Sequence, residues 1–181
     1  MSYILQNTLL VLLEYPNSAL IDVNRMLVNK AFRNEVVSKV TDPIVKSFWV
    51  DEFANFTDTY TREATPAIQN KIGQLVSNPL MRNIISQPKS SIDIRKIMDE
   101  KKIFNLSKGR MGDANSTMIG AVLVIRAYIA AMSRASEPTR KFPPCYFYVD
   151  EFQNVVNKAF ANILSEARKY GLALTLANQY I

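Results

Sequence analysis

The sequence predicts an α/β chain, with an all-helical block over residues 1–100 and part of a parallel sheet over residues 101–181. Three observations predict it. Apolar residues keep helical spacing up to about residue 100, in segments punctuated by Pro. Beyond Asp99-Glu100, short apolar runs alternate with helical patterns, the order of a parallel sheet with crossover helices. Two of those runs, Tyr146-Phe147-Tyr148-Val149 and Leu172-Ala173-Leu174-Thr175-Leu176-Ala177, are continuously apolar, as strands covered on both faces are.

The elements follow in order. Tyr3 to Glu14 reads as one helix, ended by Tyr15-Pro16-Asn17. Asp22 is placed to cap a helix carrying Val23, Met26, Leu27, Ala31, Phe32, Val36, Val37 and Val40 on one broad face. Asp42-Pro43 interrupts that pattern, and Ile44, Val45, Phe48, Trp49, Phe53 and Phe56 resume it. Thr65-Pro66 starts a further helix, a cap residue followed by Pro at the first helical position. Ile68, Ile72, Leu75 and Val76 form its apolar stripe, and Asn78-Pro79 closes it ahead of a short helix through Met81 to Ile85. In the second part, Lys102-Ile103-Phe104-Asn105-Leu106 reads as a short strand and Ser107 to Gly112 as a turn. Ser116 to Ser133 reads as a largely buried helix, and Ser136 to Pro144 as a surface loop. Val155, Val156, Ala159, Phe160, Ile163, Leu164 and Ala167 define an amphipathic helix that Gly171 ends, between the two apolar strands. The expected sheet has three strands. With one edge open and no helix after the last strand, it reads as part of a longer protein.

Composition narrows the chemistry. The 181 residues hold no His and one Cys, which excludes His-based catalysis, His metal sites, an internal disulfide and a Cys zinc cluster. Five Gly leave little room for a glycine-rich phosphate loop, and a formal charge of +6 makes the chain moderately basic. Leu9 to Leu13 is too short for a membrane span, and Met118 to Met132 is expected to fall short of about 20 residues and carries Arg126. The N-terminus lacks the basic stretch of a signal peptide. The chain is expected to be soluble and cytoplasmic.

Two acids placed directly after an apolar strand, Asp150 and Glu151, are the sharpest chemical signal. Ligands of parallel sheets bind at the carboxyl ends of the strands. An Asp there can hold a nucleotide-bound Mg²⁺ through water, and a Glu beside it can polarise the water that attacks a terminal phosphate. This is the Walker B pattern of P-loop NTPases. The same acids could instead cap the helix starting near Phe152. Arg168, in the last turn of the following helix, reads by spacing alone as a cation at the negative end of the helix dipole; the sharper alternative is an arginine finger that reaches a neighbouring subunit. Gln179 follows the last strand, where a side chain reaches the same crevice as the acids.

The stretch Tyr148-Val149-Asp150-Glu151-Phe152-Gln153-Asn154, with Ser165-Glu166-Ala167-Arg168-Lys169-Tyr170-Gly171-Leu172 and Leu176-Ala177-Asn178-Gln179, resembles the conjugative coupling-protein ATPases of type IV secretion. These are hexameric DNA-pumping motors of the HerA–FtsK group. Asn105-Leu106-Ser107-Lys108-Gly109, Ser90-Ser91-Ile92-Asp93, and Asp42-Pro43-Ile44-Val45 with Phe48-Trp49 and Glu52-Phe53 are similar to the same group. The likeness is strong from residue 145 onward and looser before 100. It implies the Walker B half of a RecA-like core preceded by an all-helical insertion domain. It implies Asp150 as the Mg²⁺ residue, Glu151 as the catalytic base, Arg168 as the finger and Gln179 as the phosphate sensor. ATP and Mg²⁺ are the implied cofactors of the whole motor. Its implied partners are DNA or relaxosome nucleoprotein, secretion-channel components and further subunits of a hexamer, with no membrane contact by this segment.

One departure dominates: no G-x-x-x-x-G-K-[ST] loop occurs, and Gly109-Arg110-Met111-Gly112 lacks both its spacing and its ending. By itself the chain is expected to bind no nucleotide tightly. A non-catalytic module, binding DNA or a secretion partner through its helical block, is the competing reading. Arg62, Lys71, Arg82, Lys89, Arg95 and Lys96 give that block scattered positive charge without a dense stripe. Ser107 to Arg110 could meet phosphate but reads more simply as a solvated turn. Phe48, Trp49, Phe53 and Phe56 read as core, and Cys145 as a packing residue.

Overall fold

The computed structural model describes residues 2–107, 112–137, 139–154 and 166–178. The chain divides into two compact units, Met1–Ser90 and Ser91–Ile181. The division falls ten residues before the change of pattern at residue 100, because helix α8 (Ile94–Asp99) packs with the second unit.

The first unit is helical: α1 (Ser2–Glu14), α2 (Asp22–Val28), α3 (Lys30–Ser38), α4 (Pro43–Ser47), α5 (Asp58–Ala64), α6 (Pro66–Ser77) and α7 (Pro79–Ile85). Local capping sets most of these boundaries. The Asp42 carboxylate accepts from Ile44 N at 2.8 Å and Val45 N at 3.3 Å ahead of Pro43. Asn78 does the same for Leu80 and Met81 ahead of Pro79. Thr65 differs from expectation: its hydroxyl donates back to Thr61 O at 2.8 Å, so it precedes Pro66 without capping α6 by its side chain. The single helix expected from Asp22 to Val40 is two helices. Asn29 leaves the helical region (φ −98°, ψ 103°), and its side chain accepts from Phe32 N to start α3, which leaves Ala31 exposed. Asp22 lies inside the first turn of α2 and reaches back to Ala19 N, so it is not the N-cap.

After α4 the chain widens into a π turn, Phe48–Glu52, closed by Phe53 N on Phe48 O. The wider turn brings Phe48, Trp49 and Phe53 onto one side. Their rings lie 4.7–6.2 Å apart, against Val11, Met26 and Val36. These aromatics are core, as their spacing predicts, and Phe56 packs against them partly buried.

The second unit holds α8, α9 (Asp113–Met132), and strands β1 (Cys145–Val149) and β2 (Leu172–Leu176). The strands pair in parallel, with Cys145 opposite Leu172 and Val149 opposite Leu176. Ala127, Ala130 and Ala131 of α9 pack with Met98, Ala167 and Leu172. The described residues thus form a mainly helical chain with a two-stranded parallel sheet.

Several expectations for this unit are corrected. Lys102 to Leu106 takes no regular secondary structure and pairs with no strand among the described residues. The Lys102 N–H is taken by Ile97 O at the end of α8, and the Ile103 side chain is 99% exposed. β1 is not covered on both faces: alternate residues face out, with Tyr146 64% and Tyr148 72% exposed. α9 is buried on one side only, at Val124, Ala127, Ala130 and Ala131, while Val122, Ile125 and Ile129 are exposed. Its helical run, Asp113–Ser136, spans 24 residues and is long and apolar enough to cross a membrane by length and composition. That overturns the expected shortfall, although a core helix of a soluble protein meets the same measure. The amphipathic helix expected from Val155 falls mostly outside the described residues; its last two positions there, Glu166 and Ala167, are helical. Gly171 ends it at φ 78°, as expected.

Candidate functional site

Asp150 and Glu151 follow β1 directly, at the carboxyl edge of the sheet. The backbone there is pinned from both sides by one residue of the neighbouring strand's extension. Ala177 N donates to Val149 O at 2.9 Å, and Phe152 N donates to Ala177 O at 3.1 Å. The two acids between these bonds form a turn, within which Glu151 N donates to Asp150 Oδ1 at 2.9 Å. Glu151 has φ 51°, the left-handed region that costs a side-chain-bearing residue about 1–2 kcal/mol. A glycine would sit there more easily. A carboxylate held at that cost, at a strand's carboxyl end, is the kind of outlier that gathers at working sites. Close by, the Gln153 Oε1 atom is buried with no partner among the described residues, an acceptor that a donor from outside could satisfy.

The acids stand at one end of a groove of about 740 Å³ between α8, residues 102–107, α9 and β1. Ile97, Met98, Leu123 and Phe147 give it apolar walls, while Lys102, Ser116 and Thr117 add polar groups. Its volume is that of an ordinary small-molecule site. Hard carboxylate oxygens suit Mg²⁺, which keeps most of its water and needs only one or two of them. Asp150, exposed at the groove end, fits that part. No group of three or more metal-binding side chains gathers among the described residues. Nothing in the sequence matches a phosphate-gripping loop, so these residues do not by themselves fit a bound nucleotide.

Arg168 is at the other end. It opens the 3₁₀ turn Arg168–Tyr170 that leads into β2, and its side chain is exposed. Because the strands are parallel and in register, that turn lies at the amino edge of the sheet. The strand rise puts it about 13 Å or more from the acids. Within one chain Arg168 does not reach Asp150 or Glu151. Gln179 lies outside the described residues.

One extensively bonded side chain of the unit is one the sequence did not mark. Arg134, in the 3₁₀ turn Ser133–Ser136 after α9, has a side chain only 1% exposed. Its Nε and Nη2 donate to Asp99 Oδ1 at 3.2 and 2.9 Å, and its Nη1 donates to Pro143 O and Tyr170 O at 3.1 and 2.9 Å. Asp99 Oδ2 accepts from Arg95 Nε at 2.8 Å, and Arg95 also bonds Ser133 and Glu137. Arg95 is thus a structural residue and no part of a basic surface. The Phe142 ring lies 4.8–5.1 Å from the guanidinium carbons of Arg95, Arg134 and Arg140.

Burial alone would raise the Asp99 carboxyl, but hydrogen bonds from Arg95 and Arg134, with their charge, outweigh it and hold it below the ordinary carboxylate range. A carboxylate more acidic folded than unfolded gives stability that is complete above its unfolded value, about 3.9. That stability is lost as pH falls through the depressed folded value. Urea midpoints taken from roughly pH 6 down to pH 2 should fall in that acid window, and less steeply in Asp99→Asn. An unchanged acid limb in Asp99→Asn would place the loss elsewhere. Burial also pushes the Cys145 thiol up, with Arg134 opposing it slightly, consistent with a packing residue.

In the first unit, a cleft of about 640 Å³ carries Lys30, Arg33 and Lys46 around Trp49 and Phe53, with Asp58. Arg33 donates to Met26 O at 2.9 Å and lies 5.0 Å from the Phe53 ring. Burial lowers its pKa. The scattered positive charge legible in the sequence lies later in the block; this cluster forms only where Lys30 and Arg33 of α3 meet Lys46 of α4.

Comparison of the chain with protein families, with curated proteins and with solved structures finds no match.

Proposed function

We propose that the chain is the Walker B part of a RecA-like ATPase, working in a hexameric cytoplasmic motor that moves DNA or nucleoprotein toward a secretion channel. The observation that carries the reading is the acid pair at the carboxyl end of a parallel strand, with Glu151 held at positive φ. In this reading Asp150 would hold Mg²⁺ through water, and Glu151 would act as the base for the water that attacks a terminal phosphate gripped elsewhere in the assembly. Gln179 senses the terminal phosphate. Arg168, a strand's length from the acids of its own chain, serves those of a neighbouring subunit. The reading requires a phosphate-gripping loop that these 181 residues do not contain. With that loop present in the assembly, Arg168→Ala and Glu151→Gln should each stop turnover alone. Mixed together they should recover part of it, since some interfaces then pair an intact Arg168 with an intact Glu151. No recovery on mixing would rule out action across the interface.

The second reading, a non-catalytic binding module, is favoured by the Lys30–Arg33–Lys46 cleft. Gel shifts of the isolated chain over a salt series test it. Binding that weakens steeply with salt, and loses about 0.9 of slope for each cation removed from the cleft, supports the module. Binding indifferent to those residues counts against it.

A further inference from the structure

We propose that Arg134 is a positioning residue for Arg168, fixing the turn from which Arg168 reaches the neighbouring subunit; this rests on the motor reading above. Three segments meet on one guanidinium. Asp99 brings the end of α8, Pro143 O the loop before β1, and Tyr170 O the turn that contains Arg168. The next residue, Gly171, passes so close that a Cβ there would lie 3.0 Å from Arg134 Nη1. Its carbonyl in turn accepts from Cys145 N at 2.7 Å, the first residue of β1. The Arg168 side chain is exposed and held by no side-chain bond among the described residues, so the backbone of its turn sets where its guanidinium stands. That backbone is held by Arg134 at Tyr170 O, and two residues before the turn Tyr128 ties the Glu166 side chain, its hydroxyl donating to Oε2 at 2.9 Å.

Arginine is the residue for this place. Its planar fork reaches a carboxylate on one edge and two carbonyls on another, whereas a lysine ammonium is a compact point donor on a shorter stem. A buried ion pair gives little net stability over well-packed apolar side chains, so the part proposed for this one is the geometry it imposes. Arg134 and Asp99 can therefore be exchanged together for apolar residues while the unit stays folded, and the positioning should be what is lost.

The test uses the full chain in a Cys145→Ala background, with a nitroxide label on Arg168→Cys and, separately, on exposed Ile129→Cys of α9. Arg134→Lys and the paired Arg134→Met/Asp99→Leu should each lose the immobilised component of the spectrum at 168. The label at 129 should stay as it was and the melt should remain cooperative, with its midpoint lowered in Arg134→Lys, which leaves Asp99 a poorer partner. An unchanged spectrum at 168 in both variants overturns the proposal. In the active assembly, Arg134→Lys should lower kcat on the order of 10²-fold, the scale of a misplacement by about 1 Å, with the nucleotide KM unchanged. If Arg168→Ala costs turnover and Arg134→Lys does not, the proposal falls while the motor reading stands. If Arg168→Ala costs nothing, the motor reading falls first, and the label at 168 still reports whether Arg134 holds the turn.

Discussion

Gly171→Ala should destabilise the second unit by about 3 kcal/mol, from two sources that can be separated. Gly171 sits at φ 78° and ψ 20°, where a Cβ costs about 1 kcal/mol. The added carbon would also stand 3.0 Å from Arg134 Nη1, with Pro143 O at 3.6 Å on its other side. The guanidinium has to move, and it is not the free end of a flexible chain, because Asp99, Pro143 and Tyr170 all hold it. Displacing it uncouples a buried ion pair, the larger part of the loss. A unit of this size should melt roughly 10–20 °C lower. Gly171→Asn separates the terms, since Asn tolerates the left-handed backbone but still carries the Cβ. If Asn is nearly as harmful as Ala, the contact dominates; if Asn is mild, the backbone does. The shorter side chain of Arg134→Lys should relieve the contact, so the cycle of Gly171→Ala with Arg134→Lys should show clear coupling. Strict additivity would mean that the two residues do not press on each other.

What was legible in the sequence was what neighbours in sequence decide. Asp42-Pro43 and Asn78-Pro79 announce helix starts because the cap, the fixed φ of Pro and the first free N–H groups lie within three residues. The runs Tyr146–Val149 and Leu172–Leu176 announce parallel strands because the pattern is continuous and a crossover separates them. Asn29 was not legible: the apolar spacing passes smoothly through it from Met26 to Phe32, and the break shows in its non-helical backbone and its side-chain bond to Phe32 N. Residues 102–106 mislead in the opposite sense. Their β-forming side chains pair with no strand among the described residues, since a strand is defined by a partner and Lys102 N is committed to α8. The positions of Asp150 and Glu151 at the sheet edge follow from the strand pattern, but the left-handed φ of Glu151 does not, since Glu carries no turn signal. Arg134 was invisible because its partners are 35, 9 and 36 positions away, on three different segments.

Glu151 sets apart a working site from a remnant one, and two substitutions there should move stability and turnover in opposite directions. Glu151→Gly removes the left-handed cost and should stabilise the second unit by about 1 kcal/mol, the usual margin between Gly and a substituted residue in that region. Glu151→Gln keeps the shape and the backbone cost but gives up the carboxylate, so stability should hold near that of the parent. In the assembly that carries a phosphate-gripping loop, both variants should keep nucleotide binding and lose turnover by 10²–10⁴-fold, roughly the contribution of a positioned general base. A site maintained against its own backbone preference is what selection for the carboxylate would leave behind. Stabilisation by Gly with turnover retained in both variants would mean that the carboxylate is spectator chemistry, and the binding-module reading would then carry the chain. No gain in stability with Gly would mean that the interactions of Glu151 within its turn offset the left-handed cost. Backbone strain at Glu151 would then mark nothing, even if the loss of turnover in Glu151→Gln still placed the carboxylate in the reaction.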